Sequence, residues 1–122
     1  MDSDQPAMND PEADPAVIDD AFLVLRDRSR RYVCYFLLEH ETASLSEVAD
    51  VVSGWLYAAN GCVVEPHCRR QRYRELVHTH IPKLVDTGVV HYDETNEMLS
   101  LSPCPDPIRE FATRACAMET GT

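Results

Sequence analysis

The stretch that decides the fold is PHCRRQRYRELVHTHIPKLVDTG, residues 66–88. Its stripe-forming positions recur at helical spacing, and they are Tyr73, Leu76, Val77, His80, Ile81 and Leu84. This spacing predicts one long helix with a buried stripe. Pro66 is typical of a first helical position, and Gly88 is typical of the left-handed residue that ends a helix. Pro82 removes a backbone donor and predicts a kink or another local irregularity.

The same stretch concentrates positive charge in an acidic protein. Its basic residues are Arg69, Arg70, Arg72, Arg74 and Lys83. The whole chain has a formal net charge of −10 at pH 7. A helix that stays basic in such a chain is a candidate to meet a phosphate backbone. Helical geometry places Arg72 and Lys83 on one flank of the stripe and Arg74 on the other.

Two short segments of alternating apolar and polar residues follow this helix directly. They cover 89–93 and 97–101, and they predict a β-hairpin around an acidic turn. A basic helix followed by a hairpin is the order expected at the end of a winged helix-turn-helix domain. The acids Asp93, Glu94 and Glu97 count against contact between this wing and a DNA minor groove.

Two helices are predicted before residue 41. The first covers about 17–26, and its apolar positions are Ile18, Ala21, Phe22 and Leu25. The second begins near Asp27 or Ser29, either of which can cap it. Its inward positions are Val33, Phe36 and Leu37. Arginines cluster between the two helices at positions 26, 28, 30 and 31, and such clusters usually pair with surface acids.

A third helix precedes the long one and completes the helix-turn-helix. It begins at Ser46, or through a capping box of Ser44 with Glu47. Its inward positions are Val48, Ala49, Val52 and Leu56. Residues 43–45 predict a minimal strand that pairs with the later hairpin, and Asn60-Gly61 ends the helix. The predicted fold class is therefore mainly α with a small β-hairpin, a winged helix-turn-helix domain over 17–102.

The two ends of the chain differ from this domain. Residues 1–16 are acidic, rich in proline and poor in bulky apolar side chains, which predicts a disordered solubilising tail. Residues 103–122 begin with a proline-rich break and then favour a helix. Its apolar face consists of Ile108, Phe111, Ala112 and Ala115. That face predicts either a dimer contact or packing on the domain itself.

Several function classes find little support. No apolar run is long enough to span a membrane and no export signal is present, so a cytoplasmic protein without a membrane partner is expected. Cys62, His67 and Cys68 do not have a standard zinc spacing, and redox sensing by the two thiols is similarly weak. His78 is expected to be exposed and His80 to be a hydrogen-bonded core histidine. Without a glycine loop or catalytic triad, neither an enzyme nor a cofactor is expected.

Distinctive blocks of sequence are spread between residues 18 and 101. They are Asp20-Ala21-Phe22, Leu25, Arg30-Arg31-Tyr32-Val33, Leu45, Val48-Ala49, Trp55, His78-Thr79-His80-Ile81-Pro82-Lys83-Leu84, Gly88-Val89-Val90 and Tyr92-Asp93. These blocks resemble a haloarchaeal family of small winged-helix domains of unknown function. The resemblance implies a winged helix-turn-helix fold and a DNA-binding or regulatory role. Abundant acids, with lysine only at position 83, also fit a protein that stays hydrated in concentrated salt.

Together these features predict a small transcriptional regulator that binds duplex DNA, as a dimer. We expect DNA contacts from Arg69, Arg70, Arg72, Arg74 and Lys83. The alternative is a winged-helix module that binds a protein partner without DNA, which the net acidity and the acidic wing turn favour.

Overall fold

The computed structural model describes residues 15–59, 66–102 and 106–121. In chain order the elements are α1 (Pro15–Leu25), α2 (Arg28–His40), β1 (Thr42–Ser44), α3 (Leu45–Ala59), α4 (Pro66–Glu75), a π-helical turn (Leu76–His80), α5 (Ile81–Asp86), β2 (Val90–Asp93), β3 (Met98–Leu101) and α6 (Asp106–Thr120). We call the continuous run from α4 to α5 the long helix (66–86). Most of the predicted tail, Asn60-Gly61 and the break at 103–105 lie outside the described residues. None of the described helices is long and apolar enough to cross a membrane.

Side-chain caps set the starts of α2 and α3. The Asp27 carboxylate accepts hydrogen bonds from the backbone N–H groups of Ser29, at 2.8 Å, and Arg30, at 3.3 Å. The Ser44 hydroxyl accepts from the N–H of Glu47 at 3.1 Å. The sequence left Asp27 or Ser29 as the cap of α2, and the structure has Asp27. For α3 it left Ser46 or Ser44, and the structure has Ser44. These bonds satisfy N–H groups that have no partner within the helix.

The three strands form one antiparallel sheet in the order β1-β3-β2. Leu99 of β3 lies between Ala43 of β1 and Tyr92 of β2, so the minimal strand predicted before α3 is confirmed. The hairpin turn is held by Asp93, whose carboxylate accepts from the N–H of Thr95 at 3.1 Å and from the side-chain amide of Asn96 at 2.9 Å.

The order of these elements is that of a winged helix-turn-helix. After α2, the strand β1 leads into α3 and the long helix, and the β2–β3 hairpin then returns to pair with β1. The predicted fold class, mainly α with a small β-hairpin, is confirmed. The long helix thus occupies the position that carries the recognition surface in DNA-binding members of this architecture.

The core draws on all of these elements, with one departure from the predicted faces. The inward positions predicted for α2 and α3 are all buried. On α1, however, Phe22 is 61% exposed and Val24 is fully buried in the core. The prediction that Phe22 faces inward is wrong because its ring stacks on Phe111 of α6 at the surface, with ring centroids 5.5 Å apart. A partner ring supplied by a distant helix is not visible in the local periodicity.

The C-terminal helix packs on the domain that precedes it. α6 lies against α1 and α2, and its Ile108 and Ala112 are buried in the shared core. Near its end, both oxygens of the Glu119 carboxylate accept from the Arg31 guanidinium at 2.9 Å. One of them also accepts from the Tyr35 hydroxyl at 2.8 Å. We call Glu119, Arg31 and Tyr35 the α6 clamp.

The arginine cluster at the α1–α2 junction is structural. Arg30 is buried, and its guanidinium donates to the carbonyl oxygens of Leu23, at 2.9 Å, and Val24, at 3.2 Å. Arg31 donates to the carbonyl of Leu25 at 2.8 Å as well as to Glu119. The prediction that this cluster pairs with acids therefore accounts for only some of its contacts. The others go to carbonyl groups in the last turn of α1, which have no partner within the helix and need donors.

Replacing Glu119 by glutamine is expected to lower the free energy of unfolding by about 1 kcal/mol at neutral pH, the scale of a well-formed surface ion pair. The hydrogen bond from Arg31 is the main cause that holds the pKa of Glu119 below its ordinary value of 4.5. A carboxylate with a depressed folded-state pKa stabilises the fold above its unfolded-state pKa, and this contribution is lost as the pH falls through the lowered value. The difference between the two proteins should therefore shrink below pH 4.5, as measured by urea unfolding.

Glu110 provides the matched control for this variant. It also lies on α6, but it pairs across one helical turn with Arg114, and both side chains are more than half exposed. Such pairs contribute about 0.2–0.5 kcal/mol, so Glu110→Gln should have a smaller effect. Equal losses in the two variants would contradict the role assigned to the α6 clamp.

Candidate nucleic-acid interface

The long helix contains the irregularity that Pro82 predicts. The N–H of Ile81 donates to the carbonyl of Leu76, five residues back, and the turn between them is π-helical. Pro82, which has no N–H, follows at once on the exposed side. The extra residue in a π turn rotates all later side chains back by about 100° around the helix axis.

This rotation decides which side of the later helix meets the core. In a continuous α-helix, Leu76 and Ile81 would point about 140° apart, and Lys83 would lie almost above Leu76. Instead Leu76, Ile81 and Leu84 are all buried, whereas Lys83 is exposed. The predicted angle between Lys83 and Arg72 assumed a regular helix throughout, and the π turn changes that angle. The exposure of Lys83 agrees with the external contact expected of it.

The helix ends as Gly88 predicts. Gly88 has a φ of 80°, and its N–H donates to the carbonyl of Val85 at 3.0 Å. The N–H of Val89 donates to the carbonyl of Leu84 at 3.1 Å. This pair of bonds is the Schellman motif, which satisfies the last carbonyls and turns the chain toward β2.

His80 differs from its prediction as a hydrogen-bonded core histidine. Its side chain is 16% exposed, and its buried Nδ1 has no hydrogen-bond partner within the part of the chain that the structure describes. A carboxylate oxygen of Asp27 lies 3.8 Å from this nitrogen. That oxygen already accepts from two N–H groups at the start of α2.

The four described basic side chains of the long helix occupy two different environments. Arg70, Arg74 and Lys83 are exposed, whereas Arg72 is half-buried. Within the described residues, none of these four side chains forms an ion pair with an acid. The side chain of Arg69 lies outside the described residues. Charges without a nearby acidic partner are those best able to meet an external phosphate.

Arg70 and Arg74 come together along one groove. They are one helical turn apart, and the groove they line has a volume of about 550 Å³. The other lining residues are Gln71, Glu75, His78 and Thr79. The sequence prediction missed Gln71 and Thr79 as polar groups on this face, although the four-residue step from Arg70 through Arg74 to His78 was visible. The surface is polar and extends for two turns along the helix.

The hairpin beyond the long helix stays negatively charged. The hydrogen bond from the side chain of Asn96 holds the pKa of Asp93 below its ordinary value. Glu94 and Glu97 in the same turn are exposed. A wing of this charge repels phosphate, so the basic side chains of the long helix are the better candidates for contact.

Among the described residues, the geometry supports neither a metal site nor a reactive thiol. Within the described residues, no three histidine, cysteine or acidic side chains converge on a point that could hold a metal ion. The candidates Cys62, His67 and Cys68 have side chains outside that part of the chain, and His78 is exposed, as predicted, on another side of the helix from His80. Cys34 is fully buried, and burial raises the pKa of its thiol to about 12. It therefore remains protonated and unreactive.

Comparison with known proteins gives a family and no function. A family profile described as a domain of unknown function, DUF7344, matches residues 22–100. That range contains α2, the helix-turn-helix, the long helix and nearly the whole hairpin. No curated protein and no solved structure matches the chain. Because the profile covers well over half of the sequence, the chain belongs to this family of domains of unknown function.

Proposed function

We propose that this protein is a small cytoplasmic DNA-binding regulator of transcription that uses the long helix for recognition. The observation that carries the proposal is the pair of exposed arginines, Arg70 and Arg74, without acidic partners among the described residues, on one groove of a helix in the recognition position. Arginine fits both tasks of such a helix, because its planar fork matches phosphate oxygens and guanine edges.

The charge distribution supports the same proposal. Acidic residues dominate the chain, yet the exposed half of the long helix presents Arg70, Arg74 and Lys83. The composition and the resemblance to haloarchaeal domains favour a halophilic archaeon as the source. In concentrated salt the Debye length is about 3 Å, so local charges count for more than the net charge.

A dimer is the form we propose for binding. Phe22 and Phe111 stack on the outside of α1 and α6, and Phe22 is mostly exposed. An apolar pair on this face is suited to a second copy of the chain, and two copies would present two long helices to neighbouring half-sites. The rival proposal is a protein-binding module, which the acidic wing turn favours.

The test is a titration of the full chain with labelled duplex DNA at a series of potassium chloride concentrations. We expect binding whose log affinity falls linearly with log salt, because each neutralised phosphate releases counterions. The slope counts the phosphates in contact, at about 0.9 per phosphate for duplex DNA. Analytical ultracentrifugation of the same samples gives the stoichiometry.

Two results would overturn the proposal. The first is an absence of DNA binding at every salt concentration, including low salt, where phosphate contacts are strongest. The second is binding that does not change with salt, because contacts made by Arg70 and Arg74 must respond to counterions. Either result would turn the search to protein partners of the long helix.

A further inference from the structure

A second groove lies on another part of the molecule, away from the long helix. It has a volume of about 520 Å³, and its walls come from α2, the end of α3 and the end of α6. Small-molecule sites commonly have volumes of about 300–1,000 Å³ and mainly apolar walls with a few polar groups. The groove therefore has the size and composition of a ligand site.

Three aromatic rings form its apolar walls. The rings of Tyr32 and Trp55 meet nearly at right angles, with centroids 6.2 Å apart and planes at 77°. The ring of Tyr35 lies 5.8 Å from that of Tyr32. Phe36 supports Trp55 from inside the core, at 5.8 Å. These contacts hold the rings in place. The ring surface open to the groove belongs to Trp55 and to the half-buried Tyr32, because Tyr35 is only 6% exposed.

Trp55 is the unexpected member of this group. It is 37% exposed although it follows buried positions on α3, and an indole in a groove leaves costly apolar surface in water. A ligand that covers the ring would recover this surface. The packing of Trp55 against Tyr32 and Phe36 also fixes the ring before a ligand arrives, which lowers the cost of ordering it.

Glu39 is the one charged side chain among the described residues that line the groove. Glu39 lines it with a side chain that is 73% exposed, and none of the described lining residues is basic. Its carboxylate lies 3.8 Å from Nε2 of His40, which lies against Phe36 rather than in the groove. A carboxylate beside aromatic faces favours a positively charged occupant over a neutral or anionic one.

We propose that this groove binds a small organic cation that carries a quaternary, trimethylated ammonium group. Aromatic faces attract a cation through their quadrupole, and they offer no strong hydrogen-bond acceptor. A quaternary ammonium has no N–H donors to leave unsatisfied when it is desolvated, whereas a primary ammonium does. The proposal does not rest on DNA binding, and it uses none of the residues assigned to that function.

The experiment uses the fluorescence of Trp55, which is the only tryptophan in the chain. The full chain is titrated with choline and, separately, with 3,3-dimethylbutanol, which has the same shape without the charge. We expect a saturable change with choline and an affinity at least about tenfold weaker for the neutral analogue. Potassium chloride is kept constant so that the ionic strength does not vary.

Two variants test the assigned residues. Tyr32→Leu keeps an apolar side chain but removes the ring, and it should weaken choline binding about tenfold. Glu39→Gln should weaken it about threefold because the carboxylate is exposed. Glu110→Gln makes the same charge change outside the groove and should bind choline as the unsubstituted chain does. Thermal unfolding of each variant confirms that it is folded.

Four outcomes would overturn the proposal. They are the absence of a saturable signal with choline, equal affinities for choline and its neutral analogue, unchanged binding in folded Tyr32→Leu, and identical binding in the two glutamine variants. The second would leave an apolar site for neutral ligands. None of these outcomes affects the DNA measurement, so failure of one proposal is distinguishable from failure of the other.

Discussion

Replacing Leu84 by alanine is expected to lower the free energy of unfolding by about 2–5 kcal/mol. Leu84 is fully buried, and its carbonyl accepts the hydrogen bond that closes the end of the long helix. It follows the π turn, whose rotation brings Leu76, Ile81 and Leu84 to one side. Removal of its side chain would leave a cavity where the long helix meets the core, because a close-packed interior collapses only in part around a lost side chain.

Leu23→Ala is the control for this substitution. It makes the same chemical change at a leucine that is 37% exposed, so less apolar surface is lost from the core, and the expected cost is below about 1 kcal/mol. Urea unfolding monitored by Trp55 fluorescence compares the two. A loss at Leu84 no larger than that at Leu23 would show that the long helix does not pack on the core as described.

The secondary structure of the central domain was largely predictable from local signals. The stripe of the long helix, the Asp27 cap and the Gly88 terminus each depend on residues close together in the sequence. The register of the hairpin also follows from alternation and turn residues. These features are local because helix caps and tight turns are satisfied within a few residues.

Other features depend on parts of the chain that meet only in the folded protein. Phe22 was expected in the core because it lies at a helical spacing from other apolar residues of α1. The ring that stacks on it, Phe111, lies almost 90 positions away, so the local spacing could not show this contact. Pro82 predicted an irregularity but not its type, so the angle of Lys83 relative to Arg72 did not follow from the sequence. A π turn and a kink both accommodate a missing donor, and only the structure shows that this helix has the π turn.

For the arginines too, the residue type is visible in the sequence, whereas the role depends on contacts made in the folded protein. Arg30 and Arg31 lie in the first turn of a predicted helix, and Arg70 and Arg74 lie in the first half of another, so the sequence alone treats them alike. Arg31 differs because it reaches Glu119, 88 positions away in sequence. The sequence therefore identified the basic residues. The carbonyls at the end of α1, which bind Arg30, and Glu119 of α6, which binds Arg31, distinguished the structural arginines from those on the long helix.

Reversing both groove arginines, Arg70→Glu with Arg74→Glu, is expected to weaken DNA binding by about 100-fold or more at a fixed salt concentration. Each arginine that contacts a phosphate forms charge-assisted hydrogen bonds of about 1.5–3 kcal/mol, and a loss of 1.4 kcal/mol is tenfold in affinity. The salt slope should also fall by about two, one for each lost contact. Both side chains are exposed, so we expect no change in the thermal midpoint beyond that of the control.

The matched control reverses Arg109 and Arg114 on α6. Both are exposed, the change in net charge is identical, and α6 packs on α1 and α2 rather than on the long helix. If DNA binding follows only the net charge, the two double variants must weaken it equally. If it follows the groove, only reversal of Arg70 and Arg74 lowers the salt slope by two, because a distant charge changes the mean field without removing a phosphate contact.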